Sequence, residues 1–197
     1  MRHLLLTLAL AGTLSTISLT SHAIDESQVP ENKRTELGLY LTPEEAWDML
    51  SEAPDQVLFL DVRTRAEAAI VGMPTAADGL VPFTEYDPFW RWDDERENYK
   101  MEPLQEFVPE AERRLNEKGL SKQDKVIVMC RTGGRSAKAA DRLAKAGYTN
   151  VYSIIEGFEG DVSEAKEDNG RRTVNGWKNA GLPWSYELDK EKVYLPE

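Results

Sequence analysis

Residues 130–136 read Cys-Arg-Thr-Gly-Gly-Arg-Ser, and Cys130 is the one cysteine in 197 residues. A thiol set between two guanidinium groups and beside two glycines is poorly placed as a buried hydrophobe, which is the ordinary state of a free cysteine. Glycines let successive backbone N–H groups converge on one point, and a following helix adds the positive end of its dipole. Arg131 and Arg135 add full charges. Such a setting favours the thiolate, the nucleophilic form of the side chain. Both histidines, His3 and His22, lie in the first 23 residues. The rest of the chain therefore has no imidazole for a Ser-His or Cys-His pair, or for a zinc site with imidazole ligands. The loop's own field is left to activate Cys130. No metal and no cofactor is expected.

The elements around this loop read as alternating strands and helices. Lys125–Met129, KVIVM, is an apolar strand leading into Cys130, and Ala140, Leu143 and Ala144 share one face of the helix after it. Val57–Leu60 is a second continuous apolar run, as in a strand covered on both faces, and it ends in Asp61-Val62-Arg63. Thr42-Pro43-Glu44-Glu45 is a helix start with capping box and proline at the first helical position. A short helix is expected over 65–71, a short strand over 80–83 and another strand over 151–155. Leu104, Phe107, Val108, Ala111 and Leu115 mark a helix face in which Pro109 sets a kink or restart. A last short helix is expected over 173–180. The pattern predicts an α/β fold, with three α/β/α layers and a central parallel sheet of about five strands. Ligands of such sheets bind at the carboxyl ends of the strands, where Asp61 and Cys130 both stand.

These segments resemble the rhodanese-domain sulfurtransferases, in their single-domain, exported bacterial form. The loop CRTGGRS resembles the active-site loop of that family. LFLDVRTRAEA with MPTA resembles its Asp-x-Arg segment, and NVYSIIEGFEG with GWKNAGLPW its closing strand, glycine turn and last helix. The resemblance covers 37–188 and implies a rhodanese-like fold. It further implies that Cys130 takes the outer sulfur of a small anionic, thiosulfate-like donor as a persulfide. A thiol, cyanide or protein acceptor then removes it. The catalytic residue is Cys130. Arg131, Thr132, Gly133, Gly134, Arg135 and Ser136 form the substrate-binding loop, with Asp61 and Arg63 in support. Arg135 is expected to face substrate or pair with Asp61. Two departures stand out. The family's Gly-His-Ile-Pro-Gly-Ala segment reads Val71-Gly72-Met73-Pro74-Thr75-Ala76 here. A lysine found in thiosulfate-specific members is replaced by Thr132, which weakens the assignment of thiosulfate as natural donor.

Two rival readings use the same residues. Oxyanion chemistry, as in phosphatases and arsenate reductases, uses Cys-(x)5-Arg; here the spacing from Cys130 to Arg135 is Cys-(x)4-Arg, a tighter ring suited to one sulfur atom. A noncatalytic binding or persulfide-carrier module is the other, although such a member would most simply have lost the cysteine. For Asp61 an ion pair or loop cap competes with a role in catalysis and is the stronger reading. Arg63 and Arg65 could equally be solvated charges, and solvation is the stronger reading for Arg171 and Arg172.

Residues 1–23 read as a secretory signal peptide, with Arg2, an apolar core and Ser21-His22-Ala23 as cleavage site. The expected destination is periplasmic or secreted, with no membrane attachment after cleavage. Without that segment the chain carries 23 Lys and Arg against 35 Asp and Glu, a net charge of −12. Nonspecific nucleic-acid binding is excluded by that balance. Residues 24–36 read as a polar, extended N-terminal arm, 37–188 as the domain and 189–197 as a C-terminal tail. An acidic, aromatic-rich insertion at 84–102 breaks the rhythm. Phe89, Trp90, Arg91 and Trp92 could wall the active site and select donor or acceptor. Cover of the sheet edge or core is the stronger reading of those aromatics.

Overall fold

The computed structural model describes residues 24–196. The expected signal peptide, residues 1–23, lies outside the described residues. Five parallel strands form the central sheet: β1 (Tyr40–Leu41), β2 (Val57–Asp61), β4 (Gly79–Leu80), β9 (Lys125–Met129) and β10 (Val151–Ile154), in the order β1-β10-β9-β2-β4. Every residue of β2 is buried, so its unbroken apolar run needs cover on both faces.

Side chains leave a strand alternately to its two faces. Leu58, Leu60, Val126 and Val128 meet Phe107, Ala111 and Leu115 of α3 (Phe107–Glu117), and Ala139, Ala140 and Leu143 of α4 (Gly134–Lys145). Val57, Phe59, Ile127 and Met129 go to the other face. There they meet Ala46 and Leu50 of α1 (Pro43–Glu52) and Ala68 of α2 (Arg65–Val71). The result is the three-layer arrangement expected from the sequence. Both α1 and α2 begin with complete capping boxes, Thr42 with Glu45 and Thr64 with Glu67. Pro109 falls in the first turn of α3, where a missing N–H breaks no helical bond, so the helix simply begins at Phe107.

Several local expectations are corrected. The arm at 24–36 is not extended: it makes two 3-10 turns, Glu26–Gln28 and Glu31–Lys33, and buries Val29, Lys33 and Thr35. Within 80–83 only Leu80 belongs to a strand, the two-residue β4. Residues 173–180 form turns rather than a helix. The N–H groups of Trp177 and Lys178 donate to the carbonyls of Gly157 and Phe158, and so are drawn away from a helical ladder. Residues 192–194 lie along the sheet edge, where the N–H of Leu80 donates to Lys192 O and Tyr194 N–H to Leu80 O.

The insertion is an antiparallel hairpin. Its legs pair first through β5 (Thr84–Tyr86) and β8 (Met101–Pro103), then through β6 (Trp92–Asp93) and β7 (Asn98–Tyr99). A two-residue strand, β3 (Met73–Pro74), pairs with β11 (Trp184–Ser185).

Trp177 ties the chain's end to the sheet. It is fully buried, 5.2 Å from the ring of Phe59 and 6.1 Å from that of Trp47, and its Nε1–H donates to Pro183 O at 3.0 Å. Truncation of a buried aromatic costs about 3–5 kcal/mol through lost transfer energy and the cavity left behind. Trp177→Ala is expected to lose that much in urea unfolding, while Trp92→Ala on the hairpin changes stability by less than about 1 kcal/mol.

Candidate functional site

Register brings the two motif-bearing strand ends together. Asp61 is paired with Met129 across β2 and β9, and the N–H of Val62 donates to Met129 O at 2.8 Å. Cys130 is the next residue, at the carboxyl edge of the sheet. Its thiol is almost fully buried, 1 % exposed.

The loop curls around the sulfur because its carbonyls are held elsewhere. Cys130 O accepts from the N–H of Phe158 at 2.8 Å, and Arg131 O accepts from Glu159 and Gly160 at 3.0 and 3.3 Å. With the carbonyls turned away, the Gly133 N–H donates to Cys130 Sγ at 3.2 Å. Gly133 sits at φ 101°, and a Cβ there would stand 2.2 Å from Ile155 O. Gly157 closes the facing turn at φ 68°, where a Cβ would lie 2.5 Å from Arg131 O. Both positions combine left-handed backbone with contact against another backbone, so only glycine fits.

The remaining loop residues divide by burial. Ser136 is fully buried; its hydroxyl donates to Gly133 O at 2.8 Å, accepts from Ser153 Oγ at 3.0 Å and lies 3.6 Å from Cys130 Sγ. Ser136 therefore braces the loop from beneath. Arg131 is exposed, and its side chain has no ion-pair or hydrogen-bond partner among the described residues. Thr132 and Gly134 are half-buried. Among the described residues the N–H groups of Thr132, Gly134 and Arg135 have no acceptor, as expected at the start of a helix.

Arg135 does not pair with Asp61. It makes a two-armed ion pair with Glu67 of α2, with Nη1 2.6 Å from Oε2. Asp61 is instead taken by Arg63. The Arg63 Nε lies 3.0 Å from each Asp61 oxygen, and Nη2 lies 2.6 Å from Oδ2 and 2.7 Å from Gly72 O. Both residues are fully buried, and the guanidinium lies 4.0 Å over the Phe158 ring. The solvated reading of Arg63 is thus overturned, whereas the ion-pair reading of Asp61 holds. Arg65 is partly covered and pairs with Glu85 at 3.3 Å. Of the two basic residues in the following loop, Arg172 donates to Gly160 O at 2.7 Å.

Glu67, Ser153, Gly157 and Phe158 belong to this site and were not singled out from the sequence. Glu67 was legible as the third helical residue of a Thr-x-x-Glu capping box. Its second use, across to Arg135, depends on how α2 and α4 sit over the sheet. The same carboxylate accepts from the N–H of Thr64 at 2.9 Å. Burial raises the Glu67 carboxyl, but the hydrogen bonds and charge of Arg135 outweigh it and hold the group at about 2, against an ordinary 4.5. For Arg135, burial lowers and Glu67 more than restores, so its guanidinium stays firmly charged.

A carboxyl depressed in the folded state adds stability above its unfolded value, and that share is lost as pH falls toward its folded value. Glu67→Gln is expected to lower stability at pH 7 by about 2–3 kcal/mol. The difference from wild type should shrink progressively between about pH 4.5 and pH 2 in denaturant titrations.

Residues 42–164 match the Rhodanese-like domain family. The chain is 29 % identical over 145 residues to the thiosulfate sulfurtransferase GlpE of Actinobacillus succinogenes, covering 73 % of this chain and 86 % of that protein. It is 28 % identical over 142 residues to an uncharacterized protein of Rickettsia conorii, covering 72 % and 92 % of the two chains. Among solved structures, Rv0390 from M. tuberculosis superimposes with a TM-score of 0.53 at 29 % identity, over 75 % of this chain and 97 % of that one. With the family match spanning four of the five sheet strands, the Asp61–Arg63 pair and the whole Cys130 loop, the chain belongs to the rhodanese-like domain family.

Proposed function

We propose that the protein is a sulfurtransferase that carries a sulfane sulfur on Cys130, from a thiosulfate-like anionic donor to a thiol or cyanide acceptor. The observation that carries this reading is the Cys130 loop itself: one N–H already on Sγ, and the N–H groups of Thr132, Gly134 and Arg135 without an acceptor among the described residues. The Cys130 thiolate attacks the outer sulfur of the donor. A Cys–S–S bond forms, the donor's S–S bond breaks, and sulfite leaves with the bonding pair. The new terminal sulfur carries the negative charge, and prearranged N–H donors stabilise such charge without reorganising. Attack by an acceptor thiolate on that terminal sulfur then returns Cys130 as thiolate, giving ping-pong kinetics.

Arg131, exposed beside the nucleophile, is the group suited to attract the anionic donor against the chain's net negative field. Arg135, locked to Glu67, acts through loop position and field. The Cys-(x)4-Arg ring favours a single sulfur over a tetrahedral oxyanion. We further propose export, with residues 1–23 removed; amino-terminal sequencing of protein from a bacterial periplasm should begin at Ile24, and retention of Met1 would refute this.

Incubation of the protein with thiosulfate should add the mass of one sulfur, removable by cyanide and absent in Cys130→Ser. Arg131→Ala should raise KM for thiosulfate about tenfold or more with less effect on kcat, as loss of binding charge does. No sulfur adduct with thiosulfate or an organic persulfide would overturn the reading in favour of a noncatalytic module.

A further inference from the structure

The hairpin of residues 84–103 is not accounted for by the chemistry at Cys130. It displays four aromatic side chains: Phe89, Trp90, Trp92 and Tyr99 are 81, 56, 52 and 44 % exposed. These aromatics therefore cover neither the sheet edge nor the core. They pack on one another instead. Trp90 stacks on Tyr86 with centroids 5.5 Å apart and meets Tyr99 edge-on at 5.2 Å, while Trp92 meets Tyr99 at 5.7 Å.

The display is imposed by the backbone. Trp90, at φ 54°, and Glu97, at φ 49°, are the non-glycine residues at positive φ among the described residues, and both lie in this hairpin. A bulky residue holds that conformation only where its surroundings over-determine it, and such positions cluster at functional surfaces. Here the agent is Asp87. Its buried carboxylate accepts from the N–H of Phe89 at 2.9 Å and of Arg91 at 3.4 Å and is gripped by the Arg91 side chain. The N–H of Trp90 donates to Asp87 O at 2.9 Å. A charged anchor thus turns Phe89 and Trp90 outward.

Charge gives the surface a sign. Residues 84–102 hold seven Asp and Glu against three Lys and Arg. Arg91 is engaged by Asp87 and Glu102, and Arg96 faces Asp93 at 3.9 Å. Asp94, Glu95 and Glu97 at the tip have no cationic partner among the described residues. Exposed ring faces beside unneutralised carboxylates complement Arg and Lys side chains. They repel an anionic lipid surface and a second copy of the same hairpin.

The root of the hairpin is fixed to the catalytic scaffold. Glu85 accepts from the backbone N–H of Arg65 at 2.7 Å and pairs with its side chain. Arg65 follows Thr64, whose capping partner Glu67 grips Arg135 of the Cys130 loop. Hairpin and loop are therefore mounted together at the carboxyl end of the sheet.

We infer that the hairpin is a docking surface for a protein carrying Arg and Lys side chains around the thiol that takes sulfur from Cys130. This rests on the sulfurtransferase reading for the transfer step, in which the acceptor thiolate attacks the terminal sulfur and Cys130 leaves as thiolate. The docking itself does not need that step.

The probes are two synthetic peptides, each with one cysteine, flanked by arginines in the first and by aspartates in the second. Sulfur transfer from the Cys130 persulfide to each is followed by mass spectrometry. Flanking charge alters intrinsic thiol reactivity, so the decisive quantity is how the ratio of the two rates changes between proteins. The Asp94→Asn, Glu95→Gln, Glu97→Gln variant, and separately Trp90→Ala with Trp92→Ala, should each lower the wild-type ratio about tenfold. Salt at about 0.5 M should do the same by screening. Thiosulfate:cyanide turnover should stay unchanged in both variants. Binding of a serine version of the arginine peptide to Cys130→Ser protein, read by tryptophan fluorescence, should be lost in the charge variant. Binding without any sulfur transfer would uphold the surface and overturn the transfer reading. An unchanged ratio with no binding would overturn the docking proposal. So would hairpin-dependent association with phosphatidylcholine vesicles, or self-association abolished by Trp90→Ala with Trp92→Ala.

Discussion

The closure of residues 130–135 against the turn at 155–160 governs the site. Three N–H groups from Phe158, Glu159 and Gly160 hold the Cys130 and Arg131 carbonyls against that turn, and farther along the loop the Gly133 N–H donates to the sulfur. A carbonyl and the N–H on one peptide point in opposite directions, so these bonds fix the N–H groups of Arg131 and Thr132 away from the turn at 155–160. The contact also explains the two glycines that face each other across it. Any side chain at Gly133 or Gly157 would push the two backbones apart and release the carbonyls.

Charge is arranged around that closure in one fully buried pair and one partly buried pair. Arg63 and Asp61 form a sealed pair beneath Phe158, and Arg135 with Glu67 joins the start of α4 to the start of α2. In each pair a carboxylate engages the cation. Burying a charge without a partner costs several kcal/mol, and these pairs avoid that while fixing the helix starts on either side of the thiol. Arg131, beside Cys130, is without a side-chain partner among the described residues. In a chain with a net charge of −11, that leaves a local positive charge next to the thiol.

The hairpin follows a separate logic. Most of the chain's large apolar side chains lie in the two layers against the sheet, whereas the hairpin turns its aromatics outward through a buried Asp87 and a left-handed Trp90. Its aromatic content read as burial because large rings are mostly covered in folded proteins. The signal against that reading was present in the sequence but weak: the rings are interleaved with Asp and Glu, leaving no continuous apolar face.

The sequence alone was enough for the fold class and for a glycine-bracketed loop that carries Cys130 at the carboxyl end of the sheet. Continuous apolar strands, capping boxes and a glycine-bracketed thiol are local patterns whose physics acts over a few residues. It also determined that no histidine beyond residue 22 could serve the site. Tertiary structure decided the partners: Glu67 rather than Asp61 for Arg135, Asp61 for a fully buried Arg63, and Ser153 beneath Ser136. It also decided that residues 173–180 turn rather than coil into a helix, because their N–H groups are taken by a segment some twenty residues earlier. Those choices rest on contacts between residues far apart in the chain, and short-range spacing carries no record of which distant group will stand opposite.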